Sequence, residues 1–195
     1  MTGIHHMLVH FPEAFWALAT LMILVGALSR GRLAEIAQAA LLPVLVLSLL
    51  AALAAIVSGF LVWPMEANLA SPLVRNHILM ALWSLGLWTL ITALAWQARD
   101  AAFIDSRRWA LVFLALLGGG LFAITGTLGG HLAGAPTAFS ALVGALGWNV
   151  YTTFYVPYWV LAVMVLVGLG CAWLGVREFR QSRSPKRVKS RVTIS

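Results

Sequence analysis

The chain has 195 residues, 62% of them hydrophobic and only 10% charged. That balance excludes an ordinary soluble domain, and the long uninterrupted apolar runs exclude the alternating pattern of a membrane β-barrel. The net charge of +7 does not point to nucleic acid, because seven of the 13 Lys and Arg residues follow Val176, in a tail that reads as a cytoplasmic anchor beside anionic lipid.

In chain order, a first span is expected from Met7 to Ser29, opening with GIHHMLVHFPEAFW. No Lys or Arg precedes it and no small-residue cleavage site follows at a suitable distance, so it reads as a retained helix and not a removed signal peptide. After the short basic turn RGRLAEIAQ, a second span runs from Ala39 to Trp63, with Pro43 placed in its first turn, where a missing N–H is tolerated. The Pro-containing segment PMEANLASPLVRN reads as a loop. A third span covers His77 to Gln97, with Asn76 as its N-cap. The charged loop ARDAAFIDSRR leads to a fourth span, Trp109 to Gly130, closed by His131.

Residues 131–157 carry no formal charge, and the apolar piece Ala138–Trp148 is too short to span, so an interfacial or re-entrant segment is expected there. A fifth span follows from Tyr155 to Val176, preceded by the aromatic cluster WNVYTTFYVPYW that suits a headgroup boundary. The expected fold class is therefore an all-α integral membrane protein of five transmembrane helices. Residues 1–134 form a four-helix bundle core with a histidine cluster, 135–154 an apolar periplasmic loop, 155–176 the fifth helix and 177–195 the basic tail. The single cysteine, Cys171, lies in an apolar run, which leaves no disulfide, thiolate zinc site, iron–sulfur cluster or covalent haem attachment to expect.

Five spans place the termini on opposite sides. With the tail cytoplasmic, 12 of the 13 Lys and Arg are inside and Arg75 alone is outside, as the positive-inside rule requires. That topology brings all five histidines to the outer leaflet of a bacterial inner membrane. His5, His6 and His10 begin the first span, His77 begins the third, and His131 ends the fourth. His6, His10 and Glu13 share one helical face at i, i+4 and i+7. Met7 and Met80 lie three residues from His10 and His77, and Gly119, Ala123, Gly126 and Gly130 form a small-residue stripe that admits another helix or a flat macrocycle.

Ionisable groups at a membrane edge read as a functional site. A lone histidine there is more often an interfacial hydrogen-bonder, but three on separate helices at one depth favour ligation. Imidazoles facing inward from a bundle are a standard way to hold haem, and apolar, aromatic-rich walls suit a porphyrin. The expected cofactor is haem b, one or two per chain. His10 with either His77 or His131 forms the first axial pair, and the remaining histidines serve a second haem or bond a propionate. Glu13 suits a proton-relay, a histidine-orienting or a lipid-edge role, and the methionines and the glycine stripe suit plain packing as well as the site.

The opening HHMLVHFP resembles the HPxxVHFP start of a bacterial membrane-protein family of unknown function. Over residues 4–134 the resemblance implies a four-helix core with His5, His10 and His77 as its polar positions and Gly129–Gly130 ending the fourth helix. It favours His10 with His77 as the first axial pair, leaving His131 to pair with His5 or His6 or to bond a propionate. His6 replaces the motif's proline, and His131 stands where the family is usually aliphatic. Three functions follow as expectations. The first is an electron-transfer subunit of an oxidoreductase complex, itself non-catalytic, working between a periplasmic cytochrome or dehydrogenase subunit and the quinone pool or an oxidase. The second is a His/Met protein for copper or a similar ion. The third is a cofactor-free anchoring subunit, docking through its apolar loop. No hydrolytic constellation or phosphate-binding glycine loop is present.

Overall fold

The computed structural model describes residues 2–64, 66 and 70–152, and beyond these 159, 162, 163, 166, 169, 170, 173 and 177. The long helices are α1 (Thr2–Leu28), α2 (Arg32–Val62), α3 (Pro72–Ala98) and α4 (Asp105–Leu132), followed by the short α5 (Ala138–Ala145). A 3-10 turn, Arg99–Phe103, joins α3 to α4. The four long helices are long and apolar enough to cross a membrane. At 27 to 31 residues they extend roughly 40–46 Å, more than a hydrocarbon core of about 30 Å. The fifth span expected over 155–176 and the tail over 177–195 fall largely outside the described residues.

Helices α2, α3 and α4 begin earlier than the hydropathy suggested, because their first turns are polar. Helix α2 starts at Arg32, which shrinks the basic turn to Ser29–Gly31; Gly31 takes φ 84°, a conformation that costs glycine little. Pro43 consequently lies deep inside α2 and not in its first turn, and it denies the Ala39 carbonyl a backbone donor. Helix α3 starts at Pro72, whose absent N–H costs nothing at a first turn. Asn76 is therefore not an N-cap: it lies within α3, and its Nδ2–H donates to the Thr152 carbonyl at 2.7 Å.

Sequential helices pack side by side, α1 on α2, α2 on α3 and α3 on α4, and α1 closes the bundle against α4. The shared core is Trp16, Ala19 and Ile23 of α1, Leu41 and Leu45 of α2, Trp88 and Ile91 of α3, and Leu111 and Ala115 of α4. Large apolar side chains also cover the outside, with Leu61 at 74% exposure and Leu21, Leu50, Trp83 and Leu116 all exposed. Such a coat is unfavourable in water and favourable in lipid.

Candidate functional site

The antiparallel packing gathers the five histidines at one end of the bundle. His5 is in the first turn of α1, and its neighbour there is the last part of α2. His5 Nδ1 lies 2.9 Å from Ser58 Oγ. The Ser58 hydroxyl already donates to the Ala55 carbonyl at 2.8 Å. Ser58 must then accept, so His5 carries its proton on Nδ1 and leaves Nε2 as a lone pair. The ring comes close to the backbone at Gly59, where a Cβ would stand 3.0 Å from His5 Cε1. Trp63 meets it edge-on, with ring centroids 5.5 Å apart.

His77 is arranged in the same way on the other hairpin. It lies in the second turn of α3, and its Nδ1 is 3.1 Å from the Thr125 carbonyl of α4. A carbonyl can only accept, so the proton is on Nδ1 and Nε2 is again free. Gly129 makes the close approach possible, since a Cβ there would stand 3.3 Å from His77 Cε1. Thr125 holds α3 a second time: its hydroxyl donates to the Leu121 carbonyl at 2.9 Å and accepts from Ser84 Oγ at 3.2 Å.

The remaining expected residues are placed differently. His10 turns outward, its side chain 77% exposed, with Nδ1 3.8 Å from Glu13 Oε2. His6 is exposed, its ring centroid 6.1 Å from that of His5. His131, in the last turn of α4, pairs through Nδ1 with the Tyr151 hydroxyl at 2.8 Å, and its Nε2 is buried without a partner among the described residues. Met7 is exposed, whereas Met80 packs with Leu73, Leu128, Val143 and Val150. Glu13 reaches across to α4, its Oε1 2.7 Å from where a Cβ on Gly126 would be. Gly130 makes room for the Ala135 carbonyl, and Gly119 faces Thr20. The stripe thus admits α1 and the returning segment after α4.

That returning segment packs on the α3–α4 side of the histidine end. Helix α5 sets Val143 against Leu73 and Leu128, Thr137 bonds Thr127 at 3.0 Å, and Asn76 and His131 hold residues 151–152. Below the histidines, Trp16 and Trp88 stack with centroids 5.8 Å apart and planes 7° from parallel. Among the described residues no three His, Cys, Asp or Glu side chains come together as a group able to hold a bare metal ion.

Ser58 and Thr125, isolated polar residues within apolar spans, are the partners that hold His5 and His77. The signal was available: His5 stands near the start of α1 and Ser58 near the end of α2, positions that an antiparallel hairpin places at one level. Tyr151 was read as part of an aromatic belt, and nothing in its spacing marked it as the partner of His131.

A family model described as "Predicted membrane protein (DUF2231)" matches residues 2–138. No curated protein and no solved structure matches the chain.

Proposed function

From a chain that belongs to the DUF2231 family of predicted membrane proteins, we propose a b-type cytochrome-like electron-transfer subunit whose haem b is held by His77 and His5. The observation that carries this reading is the matched pair of anchored imidazoles. Each donates Nδ1–H to a fixed acceptor, the Thr125 carbonyl or Ser58 Oγ, and each keeps an Nε2 lone pair. Ligating histidines are held in this way, with the second ring nitrogen bonded to a carbonyl or another acceptor that sets tautomer and orientation. The donor count agrees as well. A porphyrin brings its own four nitrogens and asks the protein for one or two axial ligands, whereas a bare ion needs three or four protein donors together.

When bound, haem b supplies a one-electron iron couple. The chain's own part is positional. Gly59 and Gly129 let the imidazoles come close to the backbone, Leu73, Met80 and Leu128 exclude water beside His77, and the segment after α4 packs on the α3–α4 side of that end. His131, whose buried Nε2 has no partner among the described residues, could bond a propionate or serve a second haem.

The positive-inside rule favours an outer-leaflet histidine end, because Arg30, Arg32, Arg99, Arg107 and Arg108 lie in or beside the turns at the opposite end. Electrons would then pass between a periplasmic cytochrome or dehydrogenase subunit and the quinone pool or an oxidase, within an inner-membrane complex.

The test is the reduced-minus-oxidised optical spectrum of detergent-purified protein, with pyridine-haemochrome stoichiometry and elemental analysis. At least one protohaem per chain supports the reading. Stoichiometric copper or zinc without haem supports the ion-binding alternative, and neither supports an anchoring subunit.

A further inference from the structure

The end of the bundle away from the histidines carries a cleft of about 380 Å³, lined among others by Gly26, Arg30, Gln38, Phe103, Arg108 and Trp109. Its floor depends on Gly26, where a Cβ would come within 2.8 Å of Phe103 and 3.0 Å of Gln38. Without that Cβ, Phe103 seats under the α1–α2 turn, and Gln38 Nε2–H donates to the Gly26 carbonyl at 2.8 Å. Two guanidinium-bearing residues from different helical hairpins share the walls. The Arg108 guanidinium is set over the Trp109 ring, 5.1 Å from its centroid, and its Nε is buried with no hydrogen-bond partner among the described residues. Two arginines on one cleft offer fork-shaped N–H donors, and the group such donors fit best is a planar or tetrahedral oxyanion.

We propose that this cleft binds a phosphate group, held by Arg108 and Arg30. The phosphate can come from two sources, an anionic phospholipid headgroup or free phosphate. The placement suits a headgroup: the cleft lies where α1 ends and α4 begins, and exposed Leu28 and Trp109 flank it at the depth of the membrane boundary. The site is independent of the haem reading, since it lies across the bundle from every histidine.

The experiment is native mass spectrometry of the full-length protein in neutral detergent, titrated with phosphatidylglycerol, with phosphatidylcholine and with inorganic phosphate. Arg108→Gln and Arg30→Gln together should weaken phosphatidylglycerol binding about tenfold or more. Arg107→Gln, which removes one charge beside Arg108 but outside the cleft lining, should leave it within about twofold. Displacement of the lipid by millimolar inorganic phosphate assigns the cleft to free phosphate, and resistance to displacement assigns it to the headgroup; either keeps the phosphate assignment. Equal losses in Arg107→Gln and Arg108→Gln would reduce the effect to general surface charge and overturn the proposal. So would undiminished binding in the double variant. If Arg108→Gln does not insert, Arg30→Gln, on the exposed α1–α2 turn, carries the comparison against Arg107→Gln alone.

Discussion

Replacing Ser58 by Ala removes the acceptor of His5 Nδ1–H and leaves the rest of α2 in place. The lost hydrogen bond is half-buried, so its net worth is about 1 kcal/mol, which by itself corresponds to roughly fivefold in an equilibrium constant. Removing the group that orients a ligating histidine typically lowers affinity by about 10- to 100-fold, because ring rotation and the other tautomer become available. The expected loss of haem affinity in Ser58→Ala is therefore near the lower end, about tenfold. It is read by titrating haem into haem-depleted protein and following the Soret band. Ser48→Ala is the control on the same helix: Ser48 Oγ is fully buried and only returns its proton to the Leu45 carbonyl at 2.6 Å, touching no histidine. Equal affinities for the two variants would refute the role assigned to Ser58.

Other outcomes follow from the same coordinates. Gly118→Ala places a Cβ 3.0 Å from the indole of fully buried Trp88, whereas Gly120→Ala meets nothing within 4 Å. The first should be less stable than the second by about 1–3 kcal/mol in denaturant titrations, while the second gains up to about 1 kcal/mol of helix propensity over wild type. Cysteines introduced at Ser29 and at Asn149 should label from opposite sides of the membrane, Ser29 from the cytoplasm; labelling of both from one side would remove the outer-leaflet placement of the histidines. Truncation after Glu178 deletes basic residues assigned to the far side from every histidine, so haem content should be unchanged in protein that inserts normally.

Much of the bundle was legible because lipid-facing helices announce themselves by length and hydropathy, and because antiparallel connection forces the starts of α1 and α3 to meet the ends of α2 and α4. The polar first turns were misjudged for one reason: residues such as Arg32 and Asp105 interrupt an apolar run without interrupting the hydrogen-bond ladder. Which histidine faces inward was harder to read. His6, His10 and Glu13 share a helical face by spacing, yet only Glu13 finds space inside, over Gly126, and His10 is left outward. Spacing gives relative angles on one helix and says nothing about which angle a neighbour occupies. Gly59 and Gly129, by contrast, record in the sequence the places where His5 and His77 come close to the backbone, although they are readable only once the partner helix is known.

The most direct test of the central claim is the spin state of the haem iron in three single-alanine variants, read by low-temperature electron paramagnetic resonance and by the optical spectrum at equal protein loading. Wild type should show low-spin haem b. His77→Ala and His5→Ala should each open one axial position and give high-spin signal or loss of haem, whereas His10→Ala, with its side chain 77% exposed, should keep the wild-type spectrum. A low-spin spectrum that survives both His77→Ala and His5→Ala in normally inserted protein would contradict the assignment, as would its loss in His10→Ala alone.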